Sequence, residues 1–264
     1  MAEYISNYII TSKNNPTIKD IKEYLTSSKE RRKDKIFVLE GVRLCCDALK
    51  SGCRIISVFA TEDCQKKYAD NVELLKENCV DFYTVSEDVL KSISDTVNPQ
   101  GVVCTVVMKH NTFEYECGKK YIALDTIQNP DNLGAISRTA EAFGIDGMVI
   151  CGGCDIYNPK ALRASMGALY RLPVRMCQNL EKEIELCKEV GIQSFATVPG
   201  RDACDITKTD FGKGALCIIG NEGNGVSKYI IDACDQKITI KMQGRAESLN
   251  AAAAASITMW ELVK

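Results

Sequence analysis

Apolar residues fall along this chain in short runs, separated by stretches where apolar positions recur at helical spacing. The first half predicts a helix over 17–33, a strand over 35–39 (KIFVL), a helix over 40–51 closed by Gly52, and a strand over 54–60 (RIISVFA). A helix over 63–78, a strand over 81–85, a helix over 87–93 and a strand over 102–108 follow, the last entered through the turn 98–101. Strands alternating with helices over this length predict a compact α/β domain, 1–108. The stretch 109–119 (KHNTFEYECGK) is polar and without period, which reads as a linker.

From 120 the strands become continuously apolar. They are expected at 121–125, 148–151, 194–198, 215–219 and 237–242, with helices at 133–143, 159–169 and 179–190. Gly144 stands where a C-cap belongs and Pro159 at a first helical turn. Near-continuously apolar strands in repeated strand–loop–helix units predict a parallel sheet covered on both sides, in a second domain spanning 120–264. The last helix opens with five alanines, 251–255. A helix so bare lets another backbone come close, and Ser248 and Asn250 stand at its mouth as capping side chains.

Composition changes this picture little. With 264 residues and 45% hydrophobic content the chain can bury two cores, and no run of about 18 apolar residues suggests a membrane span. The N-terminus lacks the pattern of a secretory signal, so the 14 scattered cysteines are expected reduced, in a cytoplasmic protein. Cys151 and Cys154 form one CxxC pair, but with a single histidine, His110, no metal site is expected.

Net charge is −2, yet it is unevenly spread. Residues 1–54 carry eleven Lys/Arg against seven Asp/Glu, densest at Lys29, Arg31, Arg32 and Lys33. A second basic group, Lys160, Arg163, Arg171 and Arg175, has no acid between 156 and 180. Such patches read either as phosphate footprints or as solvated helix faces.

Ligands of open parallel sheets bind beyond the carboxyl ends of the strands. Three polar, glycine-rich loops leave such ends here. The first holds Asn129, Asp131, Asn132 and, further along its helix, Arg138; the second is 220–225 (GNEGNG) with Asn221 and Glu222; the third holds Gly244, Glu247, Ser248 and Asn250. Nucleophile-elbow and dinucleotide patterns are absent.

In order and spacing, the segments NPDNLGAISRTAEAFG (129–144), IIGNEGNGVS (218–227) and IKMQG with ESLN (240–250) resemble the three motifs of the SpoU/TrmH family of RNA 2′-O-ribose methyltransferases, within the SPOUT superfamily. Residues 12–108 are similar, more loosely, to that family's ribosomal-protein-like α/β substrate-binding domain. One departure is Lys241, where the family usually has proline; it keeps a backbone donor that proline would remove.

The resemblance implies a C-terminal domain tied as a deep trefoil knot, with S-adenosylmethionine bent inside it, and a homodimer. Matching positions give the cofactor to Gly220, Ile240 and Leu249, with Thr197, Gly200, Asn221, Met242 and Ser248 expected beside it, and the reaction to Asn132, Arg138, Glu222, Ser248 and Asn250. A guanidinium does not give up its proton, so Arg138 is expected to clamp phosphate rather than act as base. Lys29, Arg31, Arg32, Lys33 and Arg163 are expected to dock RNA, with ribosomal RNA favoured over transfer RNA as substrate. The rival readings are a base methyltransferase and a non-catalytic RNA-binding or ribosome assembly factor.

Overall fold

The computed structural model describes residues 9–109, 112–200 and 202–264, so His110 and Asn111 of the expected linker lie outside the described residues. Contacts divide the chain into two compact units, Met1–Lys109 with Tyr157–Arg163, and His110–Ile156 with Ala164–Lys264.

The first unit runs α1 (Pro16–Thr26), α2 (Ser28–Asp34), β1 (Ile36–Glu40), α3 (Val42–Lys50), β2 (Ile55–Ala60), α4 (Glu62–Lys67), α5 (Ala69–Glu77), β3 (Asp81–Thr84), α6 (Glu87–Ser92) and β4 (Val102–Val107). Its sheet has the order β1-β4-β2-β3. Pairing is antiparallel around β4 and parallel between β2 and β3. Ile18 and Ile21 of α1 pack with Val38, Phe59 and Val103 on one face of it.

The helix expected over 17–33 is two helices. Ser27 interrupts it in extended conformation and caps α2 by accepting a hydrogen bond from the Glu30 N–H at 3.3 Å. The Ser-x-x-Glu spacing of a capping box favours a helix start there over continuation. The helix expected over 63–78 likewise breaks, at Tyr68.

The second unit contains β5 (Lys120–Asp125), α7 (Pro130–Ala142), β6 (Gly147–Cys151), α8 (Pro159–Ser165, which begins among the residues grouped with the first unit), α9 (Ala168–Arg171), β7 (Val174–Cys177), α10 (Leu180–Glu189), β8 (Gln193–Thr197), β9 (Cys204–Asp205), β10 (Ala215–Ile219), α11 (Lys228–Ala233), β11 (Gln236–Thr239) and α12 (Ala251–Val263). Seven parallel strands lie in the order β7-β6-β5-β10-β8-β11-β9. The central β10 is buried along its whole length, as strands covered on both faces must be.

On one face, α10 and α11 bury Leu180, Ile184 and Ile230 against Tyr121, Val149 and Ile218. On the other, α7 and α12 pack on each other and on the central strands. The expected linker is partly built into this unit. Phe113 stacks on Tyr121 at 5.0 Å, and Tyr115 is buried with its hydroxyl donating to Glu183 at 2.8 Å. Gly147 is required beneath it, since a Cβ there would stand 2.6 Å from the Phe113 ring.

Three sequence expectations shift. The helix over 159–169 is broken by Met166 and Gly167, both at positive φ. β7 and the two-residue β9 were not expected. β11 ends at Thr239, so 240–242, expected as strand, is loop.

Candidate active site

Three loops at the carboxyl ends of β5, β10 and β11 are tied by a chain of side-chain hydrogen bonds. The first begins at Thr126, held at φ 56°, an uncommon conformation for a β-branched residue. Its N–H donates to the Cys151 carbonyl at 2.9 Å, which fixes the turn against β6. Asn129 then caps α7, its side chain accepting from the Asp131 N–H at 2.8 Å ahead of Pro130 at the first helical turn.

The second loop closes on itself through paired bonds between the Asn221 and Gly225 backbones at 3.0 and 2.9 Å. Gly220 makes that closure sterically feasible: a Cβ there would lie 2.0 Å from the Gly225 carbonyl carbon and the Val226 nitrogen. The Asn221 amide donates to the Thr126 carbonyl at 2.8 Å, while its oxygen accepts from the Gly223 and Asn224 N–H groups. Beneath it, the buried Asp125 carboxylate accepts from both the N–H and the hydroxyl of Ser227, at 2.9 and 2.7 Å.

Glu222 joins first loop to second. Its carboxylate accepts from the Gln128 N–H at 3.1 Å, the Asn129 N–H at 3.0 Å and the Asn132 amide at 2.9 Å. Burial alone would raise its pKa, but these donors outweigh it and hold the carboxyl below its ordinary value. Asn132, itself buried, accepts from the Asn250 amide at 3.0 Å, and Asn250 caps α12 by accepting from the Ala252 and Ala253 N–H groups. One chain of contacts, Glu222 to Asn132 to Asn250, therefore spans all three loops.

Against the second and third loops lies a cavity of about 380 Å³, a volume typical of a small-molecule site. Thr197, Gly220, Asn221, Glu222, Ile240, Met242, Ser248 and Leu249 line it; Gly200, assigned to the cofactor from the sequence, does not. The Thr197 hydroxyl is buried with no hydrogen-bond partner among the described residues, leaving a polar atom for a ligand to satisfy.

The remaining candidates separate by environment. Arg138 is exposed on α7 with no ion pair among the described residues, and it does not line the cavity. In the first unit, Arg31 is buried and donates to the Tyr24 carbonyl, and Lys33 pairs with Glu30 at 3.0 Å; of these four cations Lys29 and Arg32 are exposed with no such partner among the described residues. Arg163 is paired with Asp95 at 2.6 Å within that unit. The acid-free run 156–180 is thus matched from elsewhere in sequence: Arg171 pairs with Glu141 and Arg175 with Glu183. Net charge along the chain could not show those partners.

The sequence reading missed Asp125, Thr126 and Ser227. Asp125 had a visible signal, a carboxylate closing an otherwise apolar strand. Among the described residues no cluster of three or more His, Cys, Asp or Glu could hold a metal ion.

A doubly covered parallel sheet, with a cavity at its carboxyl edge walled by two of three hydrogen-bonded loops, is the arrangement of an α/β protein that binds a small molecule. The chain belongs to the SpoU rRNA methylase family, whose model matches residues 119–260; residues 15–104 match the MRM3-like substrate-binding domain. It is 31% identical over 254 residues to the 23S rRNA (guanosine(2553)-2′-O)-methyltransferase RlmP of Bacillus subtilis, covering 96% of this chain and 98% of that one. An uncharacterised tRNA/rRNA methyltransferase of Synechocystis is 33% identical, with 96% and 92% covered. Among solved structures, the AdoMet-bound rRNA methyltransferase of Sinorhizobium meliloti superposes with a TM-score of 0.86 at 30% identity, covering 97% of both chains. The SpoU methyltransferase AviRb of Streptomyces viridochromogenes with AdoMet gives 0.84 at 26% identity, covering 94% of this chain and 97% of that one.

Proposed function

We propose that this chain transfers a methyl group from S-adenosylmethionine to a ribose 2′-hydroxyl of ribosomal RNA, in the cytoplasm, as a homodimer. The observation that carries the reading is the Glu222–Asn132–Asn250 chain, which brings three motif loops together beside a cavity of suitable size. The relatives' activity, methylation of a guanosine 2′-oxygen in one of them, supplies the reaction.

The cavity fits the cofactor: apolar Ile240, Met242 and Leu249 offer walls for an adenosine, and the unpartnered Thr197 hydroxyl offers a polar contact. When bound, S-adenosylmethionine supplies a methyl group activated by its sulfonium. The protein's share is orientation and removal of one proton. Glu222 and Asn250 are committed to loop contacts, which makes them braces. Ser248, exposed at the cavity wall and without a hydrogen bond among the described residues, is the side chain left to orient the 2′-hydroxyl and pass its proton to water.

Arg138 lies six residues from Asn132, roughly 240° around the helix and about 9 Å along it. Its guanidinium therefore faces away from the loops that Asn132 binds. In a homodimer, Arg138 of a second copy would reach the ribose phosphate. The exposed Trp260 and Ile257 on α12, with Trp260 against Phe143, support a covered apolar face there. The fourteen free cysteines support a reducing compartment.

The test mixes Arg138→Ala with Gly220→Ala at a cofactor concentration too low for Gly220→Ala to turn over alone. Shared sites would restore a substantial fraction of methyl transfer, because mixed dimers hold one site with both residues intact. No recovery, with a monomer in ultracentrifugation, would refute the shared site.

A further inference from the structure

The third loop is held at two ends and loose between them. Its far end is Asn250, locked to Asn132 and to the first turn of α12. Its near end is Lys241, whose ammonium lies 2.9 Å from the Asp205 carboxylate. From 243 to 249 every residue is exposed, and none makes a hydrogen bond or ion pair among the described residues. Two of them, Ser248 and Leu249, line the cavity.

Asp205 is well placed to anchor. Its side chain is only 14% exposed, against 66% for Lys241. One carboxylate oxygen accepts from the Thr207 N–H and hydroxyl at 3.1 and 2.8 Å, leaving the other for Lys241. Asp205 sits on β9, in register with Thr239 of β11, so its backbone is fixed two residues before Lys241. The helical turn after it, Ile206–Lys208, buries Ile206 and packs on α12, whose Ala251 and Ala254 also line the cavity. Lys241 itself stands between two cavity-lining residues, Ile240 and Met242.

We infer that the Lys241–Asp205 pair is a positioning element for the cofactor: it pins the near end of the 243–249 segment and so sets how long S-adenosylmethionine is retained. This rests on the cavity being the cofactor's site. Losing the pair frees Ile240 and Met242 to move with the loose segment, which opens one wall. The ion pair is exposed on its lysine side, so its effect is modest and screened by salt.

The experiment measures S-adenosylmethionine binding by calorimetry and its release by stopped-flow displacement, without RNA. Lys241→Ala and Asp205→Asn should each speed release about two- to five-fold, the double variant no more than the single ones, and Lys241→Arg should restore most of the retention. The melting temperature should change little in Lys241→Ala, because Lys241 is a surface residue. KM for the cofactor should rise while kcat at saturation holds. Release rates unchanged in Lys241→Ala, or effects that multiply in the double variant, would overturn the anchor. Absence of S-adenosylmethionine binding by the unaltered protein would instead overturn the underlying assignment of the cavity.

Discussion

Replacing Glu222 by glutamine separates its bracing role from a role as proton acceptor. The carboxylate accepts three N–H groups, two on one oxygen and one on the other. Glutamine keeps one oxygen and turns the other into a donor. If the oxygen stays with Asn129 and Asn132, the new NH₂ faces the Gln128 N–H, so one charge-assisted bond is lost and two donors confront each other. Such a loss costs about 1.5–3 kcal/mol when buried; Glu222 is exposed at the loop surface, which discounts it to about 1–2 kcal/mol.

At about 1.4 kcal/mol per decade, amide exchange at Gln128, the N–H that loses its acceptor, should quicken roughly 5- to 30-fold. The pH dependence carries the same signature. A carboxyl whose folded pKa is depressed stabilises above its unfolded value, and that stabilisation is lost as pH falls through the folded value. The unaltered protein should therefore shed this protection only in acid below the ordinary carboxylate range, and Glu222→Gln should show no such acid step. Unchanged exchange at the Gln128 amide in Glu222→Gln would refute the brace.

Other consequences follow from packing and charge. Gly220→Ala forces a Cβ into the backbone 2.0 Å away, so S-adenosylmethionine affinity should fall more than about tenfold in calorimetry, while secondary structure by circular dichroism persists. Gly147→Ala should lower the melting temperature by about 3–9 °C, an overpacking cost of about 1–3 kcal/mol, and Phe113→Leu in the same chain should recover part of it. Replacing both Lys29 and Arg32 by alanine should reduce the slope of log RNA affinity against log salt by up to about 1.4–1.8, whereas Arg31→Met should cost thermal stability through the lost Tyr24 contact.

The sequence carried the two α/β units and the parallel sheet, because strands buried on both faces must be apolar throughout. It also carried the three loops, whose glycines and asparagines mark turns no other residues make cheaply. What it could not carry is pairing at long range. Glu222 binds backbone more than ninety positions away, and nothing local to Glu222 tells a brace from a base. Arg31, Arg163, Arg171 and Arg175 looked like free cations only because their partners lie on other elements. The breaks at Ser27 and Met166–Gly167 are local, but each lies inside a favourable helical pattern and needed the cap or the positive φ to reveal it. Lys241 was visible as a departure from the family's proline, while Asp205, its partner, lies on a two-residue strand that no periodicity announces.

The most direct measurement incubates the purified chain with methyl-labelled S-adenosylmethionine and unmodified ribosomal RNA, then hydrolyses the product in alkali. Ribose methylation predicts label retained in an alkali-resistant dinucleotide at a defined position, and loss of that label in Arg138→Ala. Label recovered wholly in mononucleotides would place the methyl group on a base, and no transfer to any ribosomal RNA would contradict the account at its centre.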